Sequence, residues 1–309
     1  MSNKTIKIGT RGSKLALWQA NTVKDALSAA FPQNSFEIVT IKTKGDIILD
    51  VSLSKIGDKG LFTKEIETAL LNGEVDLAVH SLKDLPTELP EGLCLGGMLK
   101  RGEVRDVFIS KDGRKLSEMT ENDRIATSSL RRKAQLLAFN PKLTIVDIRG
   151  NVDTRLNKMN EGHCDALLMA GAGIIRLGYN NYITEFLDPK VVLPAVSQGA
   201  VAIEIREDDE YMQQIIDAIA DENTWNTTMA ERWLLRTLEG GCQIPVACYS
   251  ELKNGHLTLT GLVASVDGTK LICKSVTCPV DEGSEKAIEL AELILEDGGK
   301  EILDQIRTV

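Results

Sequence analysis

The residues with chemistry to offer are mostly cations placed at the ends of apolar runs. Arg11 follows the run 6–10, Lys83 follows 75–80, Arg149 follows 143–148, and Arg176 lies beyond 166–170. Arg131 and Arg132 open a helical pattern after Thr127-Ser128-Ser129, and Arg155 sits on the next helical pattern. Arginine takes carboxylate and phosphate groups bidentately, so cations repeated at strand ends read as a polyanion site. From Arg124 to Arg176 there are nine Lys/Arg against four Asp/Glu. Arg131-Arg132-Lys133 alone would equally be a solvated basic helix face. Asp84, in His80-Ser81-Leu82-Lys83-Asp84-Leu85-Pro86, is a carboxylate among these cations. It has the chemistry to move a proton or stabilise a cationic intermediate, and it would also serve as a helix N-cap. Cys242 follows Gly240-Gly241 and precedes Gln243-Ile244-Pro245. The glycines free the backbone and expose the thiol, as an attachment point, a nucleophile or a bystander.

These groups work only if regular elements hold them. The spacing predicts a strand over 6–10, and then a helix capped by Ser13 that places Leu15, Trp18, Val23, Leu27 and Phe31 on one side. A strand over 36–42, a glycine-bearing loop over 44–60, a helix over 62–72 ended by Gly73, and a buried strand over 75–80 follow. The layout then recurs. Ile125-Ala126-Thr127-Ser128-Ser129 resembles Ile8-Gly9-Thr10-Arg11-Gly12-Ser13, with strands over 143–148 and 166–170 and a helix over 152–160 between them. The reading is therefore α/β: two similar doubly wound domains flanking a cleft, where ligands sit beyond the carboxyl ends of the strands. A strand over 201–206 returns the chain to the first half. A helix over 224–238 leads to strand runs at 246–252, 257–264 and 270–277, with Asn254-Gly255 and Asp267-Gly268 as turn signals. With amphipathic helices over 284–295 and 302–306, this makes a small α+β domain with a three-stranded antiparallel sheet. The expected domains are 1–99 with 200–218, then 100–199, then 219–309.

Composition limits what these domains can do. The 309 residues carry 36 Lys/Arg against 45 Asp/Glu, a net charge of −9, which disfavours nucleic-acid or anionic-membrane binding. Aromatic residues make up only 4%, too few for a base-stacking surface. The acid is segregated: 204–231 holds nine Asp/Glu and one Arg. No signal peptide or membrane-spanning run is read, so the expectation is a cytoplasmic protein and a monomer. The six cysteines have no CxxC spacing and pair with none of His80, His163 and His256 at ligand distance, so neither a disulfide framework nor zinc is expected. There is no P-loop and no GxGxxG after a strand. Trp18, Trp225 and Trp233 are read as core residues, and His163 and His256 as surface ones.

Beyond these readings, the sequence resembles the hydroxymethylbilane synthase (porphobilinogen deaminase) family over nearly its whole length. The motifs are Ile8-Gly9-Thr10-Arg11-Gly12-Ser13-Lys14-Leu15-Ala16, Lys44-Gly45-Asp46, Lys59-Gly60-Leu61-Phe62-Thr63-Lys64-Glu65 and His80 to Pro86. They continue through Thr127 to Arg132, Arg149-Gly150-Asn151-Val152-Asp153-Thr154-Arg155-Leu156, Gln198-Gly199-Ala200 and Gly240-Gly241-Cys242-Gln243. The resemblance implies a transferase that condenses four porphobilinogen molecules head to tail and releases hydroxymethylbilane and four ammonia. It implies a dipyrromethane cofactor held by a thioether to Cys242 and a catalytic carboxylate at Asp84. Ser13, Lys83, Ser129, Arg131, Arg132, Arg149 and Arg155 match cofactor-binding positions. Arg11, Arg149, Arg155 and Arg176 match substrate-binding ones, and Lys55 and Lys59 belong to a lid over 44–60.

Four places depart from the family's common residues: Asp58 and Ser197 stand for glycine, Val104 for proline, and Ala247-Cys248 for glycine and a small residue. Cys248 falls in a strand and is expected to be inert. A small-anion binding or regulatory protein with two α/β lobes is the alternative, but it gives the Gly-Gly-Cys loop no role.

Overall fold

A computed structural model of the chain describes residues 5–47, 60, 62–238 and 244–307. It divides into two compact units, 1–102 with 199–225, and 103–198 with 226–309.

The first unit opens with β1 (Thr5–Thr10), α1 (Lys14–Ala30) and β2 (Ser35–Thr40), and continues through α2 (Lys64–Leu71), β3 (Leu77–Ser81) and β4 (Leu93–Met98). Apolar residues alternate along β1, so Ile6 and Ile8 point into a core with Ala20, Val23 and Leu27 of α1. Ile66, Ala69 and Leu70 of α2 pack with Val75 and Ala78 in a separate cluster. β1 runs parallel to both β2 and β3. Gly73, at φ +72°, ends α2 as its position in the sequence predicts.

The second unit begins with β5 (Asp106–Ser110), β6 (Arg124–Ala126), α3 (Leu130–Phe139), β7 (Thr144–Val146), α4 (Val152–Asn160), β8 (Ala166–Ala170), α5 (Gly171–Arg176) and β9 (Glu185–Phe186). The chain then re-enters the first unit as β10 (Val201–Arg206) and α6 (Glu210–Asp217). The sheet orders are β2-β1-β3-β10-β4 and β7-β6-β8-β5-β9. In each, three parallel strands are followed by the antiparallel strand that brings the chain in from the other unit. β1 and β6 thus hold the same station, which is the repeat read from the two strand-turn-helix segments.

The rest of the second unit is α7 (Glu222–Thr237, begun in the first), β11 (Val246–Lys253), β12 (His256–Ala264), β13 (Leu271–Pro279), α8 (Gly283–Ile294) and α9 (Lys300–Arg307). The three strands are antiparallel in the order β11-β12-β13. Asn254 and Gly255, at φ +52° and +75°, make the tight turn predicted between β11 and β12. Leu234, Leu257, Leu259, Leu290 and Ile294 fill the core of this layer. The other side of the sheet meets α3 through Ala134, Ala247, Leu262 and Ala264, which fixes α3 from behind. Cys248 is fully buried in β11.

Sequence and structure differ at β4, β5 and β9, which the pattern did not announce. β4 contains Gly96-Gly97, which weakens strand propensity, and β5 opens on a charged residue. Trp18 is 38% exposed and is a surface residue of α1, not a core one.

The strand β10 is entered through Ser197, whose φ is +60°. Glu231 of α7, wholly buried, accepts the Ser197 N–H at 2.6 Å and both the N–H and hydroxyl of Ser250 at 3.0 and 2.7 Å. The left-handed backbone explains why glycine suits this position: serine there costs about 1 kcal/mol. Its buried hydroxyl also has no hydrogen-bond partner, a further penalty of about 1–3 kcal/mol. These exceed the roughly 0.5–1 kcal/mol that glycine loses in unfolded-chain entropy. Ser197→Gly should therefore raise stability by about 1 kcal/mol in urea denaturation; a lower midpoint would contradict this account.

Candidate functional site

In the first unit, the carboxyl end of β1 and the turn after β3 meet at a small pocket of about 70 Å³, lined among others by Arg11, Ser13, Phe62, Thr63, His80 and Asp84. Each comes from a strand end or a helix start. The Ser13 hydroxyl accepts the Ala16 N–H at 3.2 Å and so caps α1, as its place before the apolar periodicity predicts. Buried Gln19 of α1 donates to the Ser81 hydroxyl at 2.8 Å, and Leu82 N–H donates to Ala200 at 3.1 Å. The short 3₁₀ turn Leu82–Asp84 is held by these bonds at the end of β3. Asp84 is the last residue of that turn and caps no helix; its carboxylate is exposed, and Lys83 beside it is half-buried.

Arg11 lies with its guanidinium 4.2 Å from the centre of the Phe62 ring, a cation–π contact that fixes the charge at the pocket. Phe62 is seated against Gly45, where a β-carbon would come within 2.2 Å of the ring. Gly45 and Phe62, one from each of two sequence motifs, thereby meet at Arg11, and Lys44 N–H also donates to Glu65 at 3.3 Å. Lys55 and Lys59, expected in the lid, lie outside the described residues, as do Asp58 and Cys242.

Behind the pocket, His80 Nε2 is 3.0 Å from Glu204 Oε2, with both side chains buried. Glu67 of α2 completes this group. Its burial, offset in part by Thr63 and His80 and reinforced by the Glu204 charge, pushes its carboxyl above the usual range. One oxygen each of Glu67 and Glu204 is buried without a hydrogen-bond partner. Nothing in the sequence marked either glutamate, because their burial comes from the packing of α2 on β10.

In the second unit, Ser129 caps α3 by accepting the Arg132 N–H at 3.4 Å. Arg131 and Arg132 are only 5% and 7% exposed, which rules out the solvated basic face. Arg131 donates through Nη2 to Asp106 at 2.8 Å and through Nη1 to the Leu193 carbonyl at 2.6 Å. Arg132 donates through Nη2 to the other Asp106 oxygen at 2.7 Å and through Nη1 to the Leu168 carbonyl at 3.2 Å. Gln198 adds a bond to Asp106 at 3.0 Å and one to Val104 at 2.7 Å. Burial alone would raise the Asp106 pKa, but the two arginine charges outweigh it and hold the carboxyl well below the ordinary range. Burial lowers Arg131 despite Asp106. Asp106 went unremarked in the sequence, since its arginine partners are 25 and 26 residues away.

Arg149 and Arg155 flank Gly150, which has φ +115° and would place a β-carbon 2.5 Å from Thr154. Arg155 Nε donates to the Gly150 carbonyl at 2.8 Å, and Lys158 donates to that of Arg149 at 3.2 Å. Both arginines are half-buried. Arg176, at the end of α5, is half-buried as well, and burial lowers its pKa. The structure thus gathers Arg11, Ser13 and Asp84 in one pocket of the first unit. In the second it joins Arg131 and Arg132 on one carboxylate, and sets Arg149 and Arg155 at one helix start. Among the described residues, no group of His, Cys, Asp and Glu is arranged to hold a metal.

Comparison with known proteins covers almost the whole chain. A family profile described as "Porphobilinogen deaminase, dipyromethane cofactor binding domain" matches residues 6–214, and "Porphobilinogen deaminase, C-terminal domain" matches 225–296. The porphobilinogen deaminase of Desulforamulus reducens is 50% identical over 302 residues, covering 98% of both chains. That of Chlorobium phaeobacteroides is 51% identical over 308 residues with the same coverage. The Geobacter sulfurreducens enzyme is 48% identical, covering 99% of this chain and 96% of its own.

The raised carboxyl of Glu67 has a consequence for stability. An acid whose folded pKa lies above its unfolded value binds more protons when folded, so stability falls as pH climbs between the two values. Glu67→Gln removes that penalty. It should raise the urea midpoint above that of the wild type near neutral pH and leave the two alike near pH 4; the opposite order at neutral pH would contradict the assignment.

Proposed function

The chain belongs to the porphobilinogen deaminase family, and from that premise we propose how its residues carry the family's reaction. It is an enzyme of tetrapyrrole biosynthesis with a dipyrromethane cofactor, joining four porphobilinogen molecules head to tail into hydroxymethylbilane with loss of ammonia. The observation that carries the assignment of roles is the exposed carboxylate of Asp84 in one pocket with Arg11.

The residues present fit the cofactor. Every pyrrole of the chain brings two carboxylates, and the buried Nε of Arg132 has no partner among the described residues, a donor of the kind a carboxylate satisfies. Cys242 would hold the dipyrromethane through a thioether, with Ser13, Lys83, Ser129, Arg131, Arg132, Arg149 and Arg155 at its acidic side chains. When bound, it supplies the free pyrrole carbon to which the first substrate is joined.

Arg11, Arg149, Arg155 and Arg176 bind substrate carboxylates, and Lys55 and Lys59 are the cations that the family resemblance assigns to the lid. Phe62 restrains Arg11, so its charge is in place before substrate arrives and little freedom is lost on binding. Asp84 faces the positive charge that grows on the substrate pyrrole as its carbon–nitrogen bond breaks and ammonia leaves with the electron pair. After the carbon–carbon bond forms, an Asp84 oxygen takes the proton from the pyrrole ring carbon that made the bond, and the ring regains its aromaticity. Because Asp84 is exposed, that proton passes to water before the next addition. The chain is divided as 1–99 with 200–218, 100–199 and 219–309, and works as a cytoplasmic monomer.

Two variants separate holding from chemistry. The purified protein should exceed its sequence mass by one dipyrromethane, and Cys242→Ser should lose that increment. Asp84→Asn should keep the increment yet lose roughly 10²–10⁴-fold in turnover, the usual worth of a positioned proton carrier. Wild-type turnover by Asp84→Asn would overturn its role.

A further inference from the structure

The arginine pair of the second unit holds more charge than the protein balances. Arg131 and Arg132 are both buried, and among the described residues Asp106 is the one carboxylate bonded to them. Two buried cations on one buried anion leave an excess of one positive charge, and such an excess calls for a counterion. The hydrogen bonds show where the counterion belongs. A guanidinium presents two forks, one across Nη1 and Nη2 and one across Nε and Nη2. In Arg132 the end is committed, Nη1 to the Leu168 carbonyl at 3.2 Å and Nη2 to Asp106 at 2.7 Å. Its Nε is buried with no partner among the described residues. The other buried side-chain atoms without partners, among the described residues, are all oxygens.

We propose that Asp106 is a positioning residue, turning Arg132 so that its Nε edge takes one carboxylate of the polypyrrole chain. The proposal rests on the function assigned above and adds to it a residue and a mode of contact. Asp106 has no exposure and cannot touch a ligand, so it acts through the arginines. Its oxygens fix the ends of both guanidiniums, and Gln198 holds it from a third direction at 3.0 Å. The free donor is therefore oriented before any ligand binds, and one bound carboxylate brings the cluster to neutrality. A lysine at 132 would supply the charge without the Nε–H or the planar fork.

The test uses apoprotein made in cells that lack porphobilinogen. Porphobilinogen is then added and dipyrromethane loading is followed by intact mass, with thermal melts of each variant alongside. Arg132→Lys and Asp106→Glu should load at least about tenfold more slowly than wild type, the worth of one charge-assisted hydrogen bond. Asp106→Asn, which leaves two uncompensated cations, should be slower still where it folds. The loaded fraction of Asp106→Glu should also show a raised KM with kcat little changed. Wild-type loading by Arg132→Lys would overturn the Nε contact. Melting points lowered while Asp106→Glu loads and binds normally would make Asp106 merely structural and overturn the positioning role. A wild-type protein that never gains the dipyrromethane mass would instead overturn the function itself.

Discussion

A carboxylate with no solvent contact, gripped by two arginines, organises the second unit. Asp106 opens β5, and its partners arrive from α3 and from Gln198 just before β10, with the same arginines reaching the carbonyls of Leu168 on β8 and Leu193. Removing Asp106 would leave two buried cations without their anion, a penalty of about 3–5 kcal/mol. The requirement to satisfy them together therefore ties two strands, a helix and the chain crossing into one arrangement. The price is an arginine donor left over, and a polycarboxylate ligand is what can use it.

Asp84 shows the opposite use of the same functional group. It sits exposed on a 3₁₀ turn, beside a half-buried Lys83 and in a pocket with Arg11, with its backbone held by the Gln19–Ser81 clamp. Asp84 stands open to solvent, whereas the two buried arginines hold Asp106 ionised. Environment, not residue type, therefore separates a solvent-facing carboxylate, for which the proton-carrying role is proposed, from a buried anchor.

Much of this was legible in the chain, and the limits have physical causes. Strands 166–170 and 201–206 and helix 152–160 were readable to the residue, because apolar runs were bounded by turn residues or caps. The place of Ser13 before the apolar periodicity predicted one cap, and Ser129, in the matching segment, caps α3. Asp106 was invisible because a short strand beginning with a charge looks like a loop, and its arginine partners come from a distant helix. Glu67 and Glu204 were hidden for the same reason: long-range packing buries them. Ser197 was noticed as an unusual residue, but only its left-handed backbone explains why glycine suits the place.

The net charge of −9 pointed away from acidic ligands, yet the cations that matter are few and locally placed. With a screening length of about 8–10 Å, the field at a binding group is set by its neighbours and not by the sum over the chain. The central claim is that fixed arginines and one proton-carrying aspartate extend a single covalently held chain. Intact mass spectrometry of the holoenzyme mixed with limiting porphobilinogen tests it most directly. A ladder of up to four equal increments, each one porphobilinogen less ammonia, is predicted, with return to the starting holoenzyme mass on release of product. Product formed with the enzyme mass constant throughout would contradict it.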